Sequence, residues 1–181
     1  MAEIREIIQL GHPTLRTKSQ TVENIQAQSV QNLIADLKAT VAQANGVGIA
    51  APQIAQSYRL FIVASRPNPR YPHAPTMEPT AMINPRILAH SSEVAKDWEG
   101  CLSIPGIRGL VPRYQAVEVE YTDENGKLQK QQLNDFIARI FQHELDHLNG
   151  SVFLDRIEST HDLITEHEYQ KQIVATSSSI R

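Results

Sequence analysis

The sequence predicts an α+β fold in which mainly antiparallel sheets pack around one central helix. Polar and apolar residues alternate on both sides of an Asn-Gly turn, which predicts a β-hairpin over residues 117–133. A helix-period stripe follows at once, from about residue 135 to 149, and a β-branched and aromatic run predicts a buried strand over residues 58–64. With 181 residues, 41% of them hydrophobic, the chain is expected to form a single domain over residues 1–181.

The first half of the chain predicts one helix, a run of small residues and a loop. Residues 23–44 place apolar side chains at helical spacing and stop before Asn45-Gly46. The small residues of 46–53 would let another backbone or a ligand approach closely. Five prolines exclude a regular element over residues 66–79, so a surface loop is expected there. Residues 80–88 look like a strand, with Asn84-Pro85 indicating an edge or bulge position.

The helix over residues 135–149 is predicted to be capped by Asn134 and to stop at Gly150. Its buried stripe continues into two histidines: Phe136, Ile140, His143 and His147. A weakly amphipathic last helix is predicted over residues 161–173, and the polar tail, residues 176–181, is expected to be flexible.

Charge and hydropathy narrow the classes of function. The net charge is −3, with 17 basic against 20 acidic residues, so no nucleic-acid site is expected. No stretch approaches the roughly 20 apolar residues that a membrane span needs, and no signal peptide is evident. Cys101 is the single cysteine and cannot form an internal disulfide. A soluble, cytoplasmic protein with no membrane partner is therefore expected.

His143-Glu144-x-x-His147 is the motif around which the remaining chemistry is organised. Histidines four residues apart lie one helical turn apart on the same face, so both imidazoles can bind one divalent metal. Glu144 lies a step round from that face, where it can act as a general base without being a ligand. The alternative is an amphipathic helix with two hydrogen-bonded histidines and no metal.

The third ligand of such a site decides the class of protein, and the residues alone leave it open. Phe153 stands where long-signature metalloproteases have a third histidine. An endopeptidase would instead recruit a downstream glutamate: Glu158, Glu166 or Glu168. Cys101, 42 positions before His143, is the other candidate, although a lone cysteine is more often a small buried apolar residue. A non-catalytic metal or peptide-binding module would close the site with a fourth ligand: His12, His90, His161 or His167.

Three motifs resemble those of the peptide deformylase family, in the family's order and at comparable separations: Gly46-x-Gly48-x-Ala50-Ala51-x-Gln53, Glu99-Gly100-Cys101-Leu102-Ser103 and Gln142-His143-Glu144-x-x-His147. The similarity extends from the first helix to Leu154. The main departure is Ile49, where the family usually has leucine, a near-isosteric change. The combination is specific, although the first motif alone is not.

The resemblance implies that Cys101, His143 and His147 bind one metal ion, with water at the fourth position. It points to Fe²⁺ as the physiological ion, with Zn²⁺, Ni²⁺ or Co²⁺ able to occupy the site. The implied reaction is hydrolysis of an N-terminal formamide, in which Glu144 takes a proton from water and delivers it to the leaving amine. The implied oxyanion donors are the backbone N–H of Leu102 and the side-chain amide of Gln53.

The substrates implied by the resemblance are N-formylmethionyl peptides, in the form of nascent chains at the ribosome. Val47, Gly48 and Gly100 are predicted to pair with an extended peptide as an added strand, and Arg108 to contact it. Arg113 is predicted to pair with Glu99 and brace the cysteine loop.

Overall fold

The structure, a computed structural model, describes residues 2–175 and contains two antiparallel sheets. The five-stranded sheet has the order β1-β2-β3-β6-β7 and the three-stranded sheet the order β4-β5-β8. The strands are β1 (Gly48–Ala50), β2 (Leu60–Val63), β3 (Thr80–His90), β4 (Val94–Cys101), β5 (Ile104–Tyr114), β6 (Ala116–Thr122), β7 (Leu128–Asn134) and β8 (Leu163–Thr165). All of these pairings are antiparallel, and the predicted α+β fold is confirmed.

The α-helices are α1 (Gln28–Gln43), α2 (Asp135–Leu148) and α3 (Glu166–Tyr169), the last continued by a π-helical turn (Gln170–Val174). Short 3₁₀ helices cover Pro13–Arg16, Ala51–Ile54, Phe153–Arg156 and Thr160–Asp162. Every helix of residues 2–175 is too short or too polar to cross a lipid bilayer.

Strands β1 and β2 of the five-stranded sheet are buried on both faces. Ile49, Leu60 and Ile62 pack with α1, whereas Ala50 and Phe61 pack with α2. Because each face is covered by a helix, β2 is buried at all four positions and shows no polar alternation. α2 therefore occupies the central position that the sequence predicts.

The structure refines the predictions for the first half of the chain. α1 begins at Gln28, so residues 23–27 are not helical. β3 lies between β2 and β6, and the edge position considered for it is wrong. The alternative, a bulge, is confirmed: the register shifts between Ile83 and Arg86, around Pro85. Asn84 has a φ of 51°, and its side-chain amide bonds both backbone groups of Val22, at 2.9 and 2.8 Å.

The second half holds one confirmed hairpin and two elements that differ from prediction. β6 and β7 form the hairpin expected from the alternation. The helix expected over residues 161–173 is instead a 3₁₀ turn, β8, α3 and a π-helical turn, because residues 163–165 pair with the outer edge of β5. Asn134 precedes α2 as predicted, but its side chain makes no capping bond. Residues 176–181, the predicted flexible tail, lie outside the described residues.

Two edge strands meet at α2. β1 is the outer strand of the five-stranded sheet, and β4 is the outer strand of the three-stranded sheet. The cleft between them is lined by Gly48 on β1, Gly100 on β4 and His143 on α2. The long β4–β5 hairpin carries Cys101 to this cleft from a distant part of the sequence.

Candidate active site

Cys101, His143 and His147 come together in the interior, as the sequence predicts for a metal site. Their candidate ligand atoms all lie within 4.8 Å of one another, and Cys101 Sγ is 3.3 Å from His147 Nε2. The α2 helix places its two histidines one turn apart, and the end of β4 supplies the thiol. Within residues 2–175 this is the one cluster of potential ligands of this kind.

His143 is oriented by Glu99. The Nδ1 atom of His143 lies 2.9 Å from Glu99 Oε2 and donates its proton to that carboxylate, so Nε2 is free on the opposite side of the ring. Burial lowers the pKa of His143, but the hydrogen bonds to Cys101 and Glu99 outweigh it, and the pKa is raised well above its ordinary value.

Glu99 is itself held by two arginines. Arg113 donates to both carboxylate oxygens, at 2.8 and 3.0 Å, and Arg139 donates at 2.9 Å. Burial raises the pKa of Glu99, but the Arg113 charge and hydrogen bond reverse the shift, so this carboxyl stays ionised at neutral pH. Arg113 also donates to Asp146 on α2 at 2.6 Å. The predicted Glu99–Arg113 pair is present and ties β4 to β5 and α2.

The pKa of His147 shifts in the opposite direction to that of His143, so His147 is neutral. Burial and the nearby His143 charge lower its pKa well below the ordinary value. A neutral imidazole nitrogen and a cysteine sulfur, which gives up its proton on binding, are donors for a divalent transition metal. The Nε2 atom of His143 is also available to bind the metal. The three side chains thus fit a metal ion of the type that accepts nitrogen and sulfur ligands.

Glu144 lies beside the cluster of candidate metal ligands but is not one of them. Its side chain is buried, its Oε2 has no hydrogen-bond partner within residues 2–175, and it lies beside Gly48 of β1. Burial raises the pKa of Glu144 to about 7. A carboxyl with such a pKa can both accept and return a proton near neutral pH.

Gln53 faces the thiol from the other side of the site. Its Oε1 accepts the backbone N–H of Ala50 at 2.8 Å, which fixes the amide, while its Nε2 lies 3.5 Å from Cys101 Sγ and 3.2 Å from Ser103 Oγ. Leu102 is half-buried and lines the same cleft. The amide therefore anchors its own loop and points a donor at the site.

Most of the residues predicted to bind substrate line the cleft. Val47, Gly48 and Gly100 line it, as do Gln53 and Leu102. Its walls also include residues that sequence reasoning missed: Arg70, Tyr71, Trp98 and Arg139. Of these, Arg139 carried a usable signal, since it lies one helical turn before His143; Arg70 and Tyr71 belong to the proline-rich loop, which has no helical or strand periodicity.

Arg108 lies outside the lining of the cleft. Its side chain is completely buried, and Nε and Nη2 bind Glu166 at 2.6 and 3.1 Å. The rings of Tyr71 and Tyr169 cover its guanidinium at 4.9 and 4.2 Å. The contact between Arg108 and a peptide stays a prediction, and in this conformation the side chain belongs to the core.

Comparison with known proteins identifies the chain. The profile of a family described as polypeptide deformylase matches residues 4–162. The chain belongs to the polypeptide deformylase family. It is 70% identical over 171 residues to peptide deformylase 2 of Nostoc sp. strain PCC 7120, covering 94% of this chain and 96% of that relative. It is 44% identical over 144 residues to peptide deformylase 2 of Shewanella oneidensis, with 80% of each chain covered.

Solved structures of peptide deformylases have the same fold. A class I type b peptide deformylase from Acinetobacter baumannii with Met-Ala-Ser bound superposes with a TM-score of 0.84 at 43% identity, over 87% of this chain and all of that one. A peptide deformylase from Synechococcus elongatus in complex with actinonin gives a TM-score of 0.78 at 34% identity, over 90% of this chain and 84% of that one. Peptide deformylases are metal-dependent hydrolases, and this membership excludes the endopeptidase considered above.

Proposed function

We propose that the site removes the formyl group, as formate, from the amino terminus of N-formylmethionyl nascent polypeptides. The observation that supports it most directly is the approach of Cys101 Sγ to His147 Nε2, at 3.3 Å, beside the buried carboxyl of Glu144. A thiol, two imidazoles and a separate carboxyl are the groups that metal-assisted amide hydrolysis requires. Water adds to the formamide carbon, the C–N bond breaks, and formate and a free amine result.

The proposal assigns Cys101, His143 and His147 as the ligands of one metal ion per chain. When bound, a divalent ion polarises the formyl carbonyl and lowers the pKa of water, which supplies a nucleophile at neutral pH. We assign Fe²⁺ as the physiological ion, with Zn²⁺, Ni²⁺ or Co²⁺ able to replace it. Cysteine sulfur and imidazole nitrogen are ligands common to these four metals.

Glu144 is assigned the proton transfers. Its carboxylate accepts a proton from the attacking water and delivers it to the leaving nitrogen, which otherwise departs as a poor anionic leaving group. In the metal-free chain burial raises the pKa of Glu144 to about 7, and a bound cation would favour the carboxylate, the form that accepts the proton from water. The glutamate does not bind the metal in this scheme.

The oxyanion that develops on the formyl oxygen is assigned to Gln53 and Leu102. Gln53 Nε2 already points at the thiol, 3.5 Å from Cys101 Sγ, and the bond from Ala50 N–H prevents the amide from turning away. The backbone N–H of Leu102, the residue after the cysteine, is the second donor. Donors fixed before the reaction begins stabilise the transition state without reorganisation.

The peptide is proposed to bind in an extended conformation between the two edge strands. The backbones of Val47 and Gly48 on one side and of Gly100 on the other are assigned to strand addition, which reads main chain and tolerates varied sequence. The Gly100 N–H donates to the Tyr71 hydroxyl at 3.2 Å, so a peptide would replace that hydroxyl. Phe136 and Ile140 give the cleft an apolar wall for the methionine side chain. The narrow approach at Gly100 favours a formyl hydrogen over a larger acyl group.

This substrate arises where translation exposes new amino termini, so the proposal places the enzyme in the cytoplasm beside the ribosome. An extended, sequence-tolerant binding mode suits a substrate whose downstream residues vary from protein to protein.

The test is anaerobic purification, metal analysis and a formate-release assay on formyl-Met-Ala-Ser. We expect about one divalent ion per chain and stoichiometric release of formate, with acetyl-Met-Ala-Ser left intact. Cys101→Ala is expected to lose the metal and the activity together. Metal retained at full stoichiometry by Cys101→Ala, or no formate from protein loaded in turn with each of the four ions, would refute the assignment.

A further inference from the structure

Two guanidinium groups meet beside Gly100 at the rim of the cleft. Arg70 Nη2 lies 3.1 Å from the position that a Cβ atom on Gly100 would take, and Arg108 Cζ lies 3.8 Å from the same position. Arg70 belongs to the proline-rich loop and Arg108 to β5, so residues far apart in sequence place two cations beside Gly100, of which only Arg70 lines the cleft.

The charge of Arg108 is already neutralised inside the protein. Its Nε and Nη2 bind the two oxygens of Glu166, at 2.6 and 3.1 Å. Gln170 donates to the same carboxylate at 2.8 Å, so three donors occupy it. Arg108 is completely buried, and its Nη1 is the one guanidinium nitrogen without a hydrogen-bond partner among residues 2–175.

The backbone of Arg70 is fixed by hydrogen bonds, but its guanidinium charge is not paired. In this it differs from Arg108. Its N–H donates to Asn68 Oδ1 at 2.9 Å, and its carbonyl accepts from Arg108 Nη2 at 3.1 Å. Within residues 2–175 its guanidinium makes no hydrogen bond or ion pair, although its charge acts on Glu166. The half-buried side chain lines the cleft.

The local charge balance favours an anion. Arg70, Arg108 and Glu166 together carry one net positive charge beside Gly100, and Asp97, which lines a neighbouring pocket with Arg70, carries a negative charge three positions earlier on β4. A guanidinium presents paired donors that match a carboxylate, and partial removal from water strengthens such a pair.

We propose that Arg70 forms a subsite for a carboxylate side chain on the formylated peptide, carried by one of the two residues that follow the methionine. This inference rests on the proposed function. If the formyl group lies beside Cys101, an extended peptide that runs antiparallel to β4 advances about 3.4 Å per residue, the same step that separates Cys101 from Gly100. The methionine then lies beside Gly100, and a carboxylate one or two residues further on needs its side chain to span one or two strand steps to meet the guanidinium of Arg70. Arg108 acts as a positioning residue, because it holds the Arg70 carbonyl.

The experiment compares matched peptides and matched variants. The substrates are formyl-Met-Glu-Ser-amide and formyl-Met-Gln-Ser-amide, and formyl-Met-Ala-Glu-amide and formyl-Met-Ala-Gln-amide; the amide removes the terminal carboxylate as a competing anion. The enzymes are wild type, Arg70→Gln, Arg70→Lys and the control Arg66→Gln. Arg66 is an exposed arginine of the same loop, outside the cleft lining.

We expect wild type to prefer glutamate over glutamine at one of the two positions by about threefold to tenfold in kcat/KM, the range of a partly desolvated charge pair. Arg70→Gln should bring this ratio to about one, Arg70→Lys should retain part of it, and Arg66→Gln should keep it. The ratio should also fall as salt is raised, because counter-ions screen the pair.

A ratio near one in wild type at both positions, or a preference that Arg70→Gln leaves intact, would overturn the subsite. These results are distinct from failure of the proposed function, in which neither the glutamate nor the glutamine peptides release formate.

Discussion

The carboxylate of Glu99 and the imidazole of His143 are joined by a hydrogen bond of 2.9 Å between Oε2 and Nδ1. This bond fixes the tautomer and ring angle of His143 and leaves Nε2 for a metal. Arg113 and Arg139 clamp the carboxylate in turn. The geometry of the proposed ligand therefore depends on a buried charge network outside the ligand set.

Glu99→Gln is expected to lower metal affinity by about 10- to 100-fold, because the amide is a weaker acceptor for His143 and leaves Arg113 without its main counter-charge. Competition with a chromophoric chelator measures the affinity, and circular dichroism checks the fold. Glu118→Gln, at an exposed position of β6, is the control. If Glu99→Gln bound the metal as tightly as wild type, the hydrogen bond between Glu99 and His143 would not be needed for metal binding.

Glu144→Gln is expected to keep the metal and to lose about 10²- to 10⁴-fold in kcat, the usual contribution of general acid–base catalysis. The amide has nearly the volume of the carboxyl but cannot accept a proton. Metal analysis and formate release are measured on the same sample. Near-normal turnover would mean that another group transfers the proton.

The stability of the metal-free protein is expected to depend on the Glu144 carboxyl between about pH 4 and pH 7. Burial raises the pKa of Glu144 to about 7 in the folded chain, whereas an unfolded chain has a pKa of about 4.3. Between these values the folded chain holds a proton that the unfolded chain lacks, so the free energy of unfolding falls as the pH rises, by about 4 kcal/mol in total.

Urea unfolding of metal-free wild type and Glu144→Gln, at pH 4.5 and 7.5, separates the pH dependence that comes from the Glu144 carboxyl from that of the histidines. The difference in unfolding free energy, wild type minus variant, should be smaller at pH 7.5. A bound metal favours the charged carboxylate and should weaken the trend. A difference that stays constant with pH would contradict the raised pKa.

Gly48→Ala is expected to lower kcat by about 10- to 100-fold, because the added Cβ overlaps Glu144 Oε1 and approaches Ile140 Cγ2 at 2.9 Å, which displaces the base. Gly109→Ala is the control: its Cβ would meet Ile157 Cγ2 and Phe153 Cε2, both at 3.0 Å, away from Glu144. Both variants should lose stability, and Gly48→Ala alone should lose most of its turnover. Equal activities in the two folded variants would disprove the steric role of Gly48.

Glu166→Gln is expected to lower the free energy of unfolding by about 2 kcal/mol, because it leaves the buried Arg108 charge without its counter-ion; one-third exposure of Glu166 reduces the cost below that of a fully buried pair. Chemical denaturation measures the change. Glu168→Gln, on the same helix but more exposed, should leave the free energy of unfolding essentially unchanged. Similar losses in both variants would remove the special role assigned to Arg108.

Several features could be predicted because they depend on residues close in sequence. The helical period places His143 and His147 on one face whatever the rest of the chain does, and α2 ends before Gly150 as expected. The β6–β7 hairpin follows from alternation around Asn125-Gly126. For Cys101, spacing left several ligands open, and the similarity to a known family carried the assignment.

The sequence by itself determined the helix with its paired histidines, the neighbouring hairpin and, through three motifs, the family. Only the tertiary structure decided that Arg108 is buried against Glu166, that Arg70 reaches the rim of the cleft, and that residues 163–165 pair with β5. The physical reason is range. Periodicity and turn chemistry act over a few residues, whereas these contacts join residues 30 to 58 positions apart. Which arginine binds a carboxylate therefore depends on the path of the chain between them.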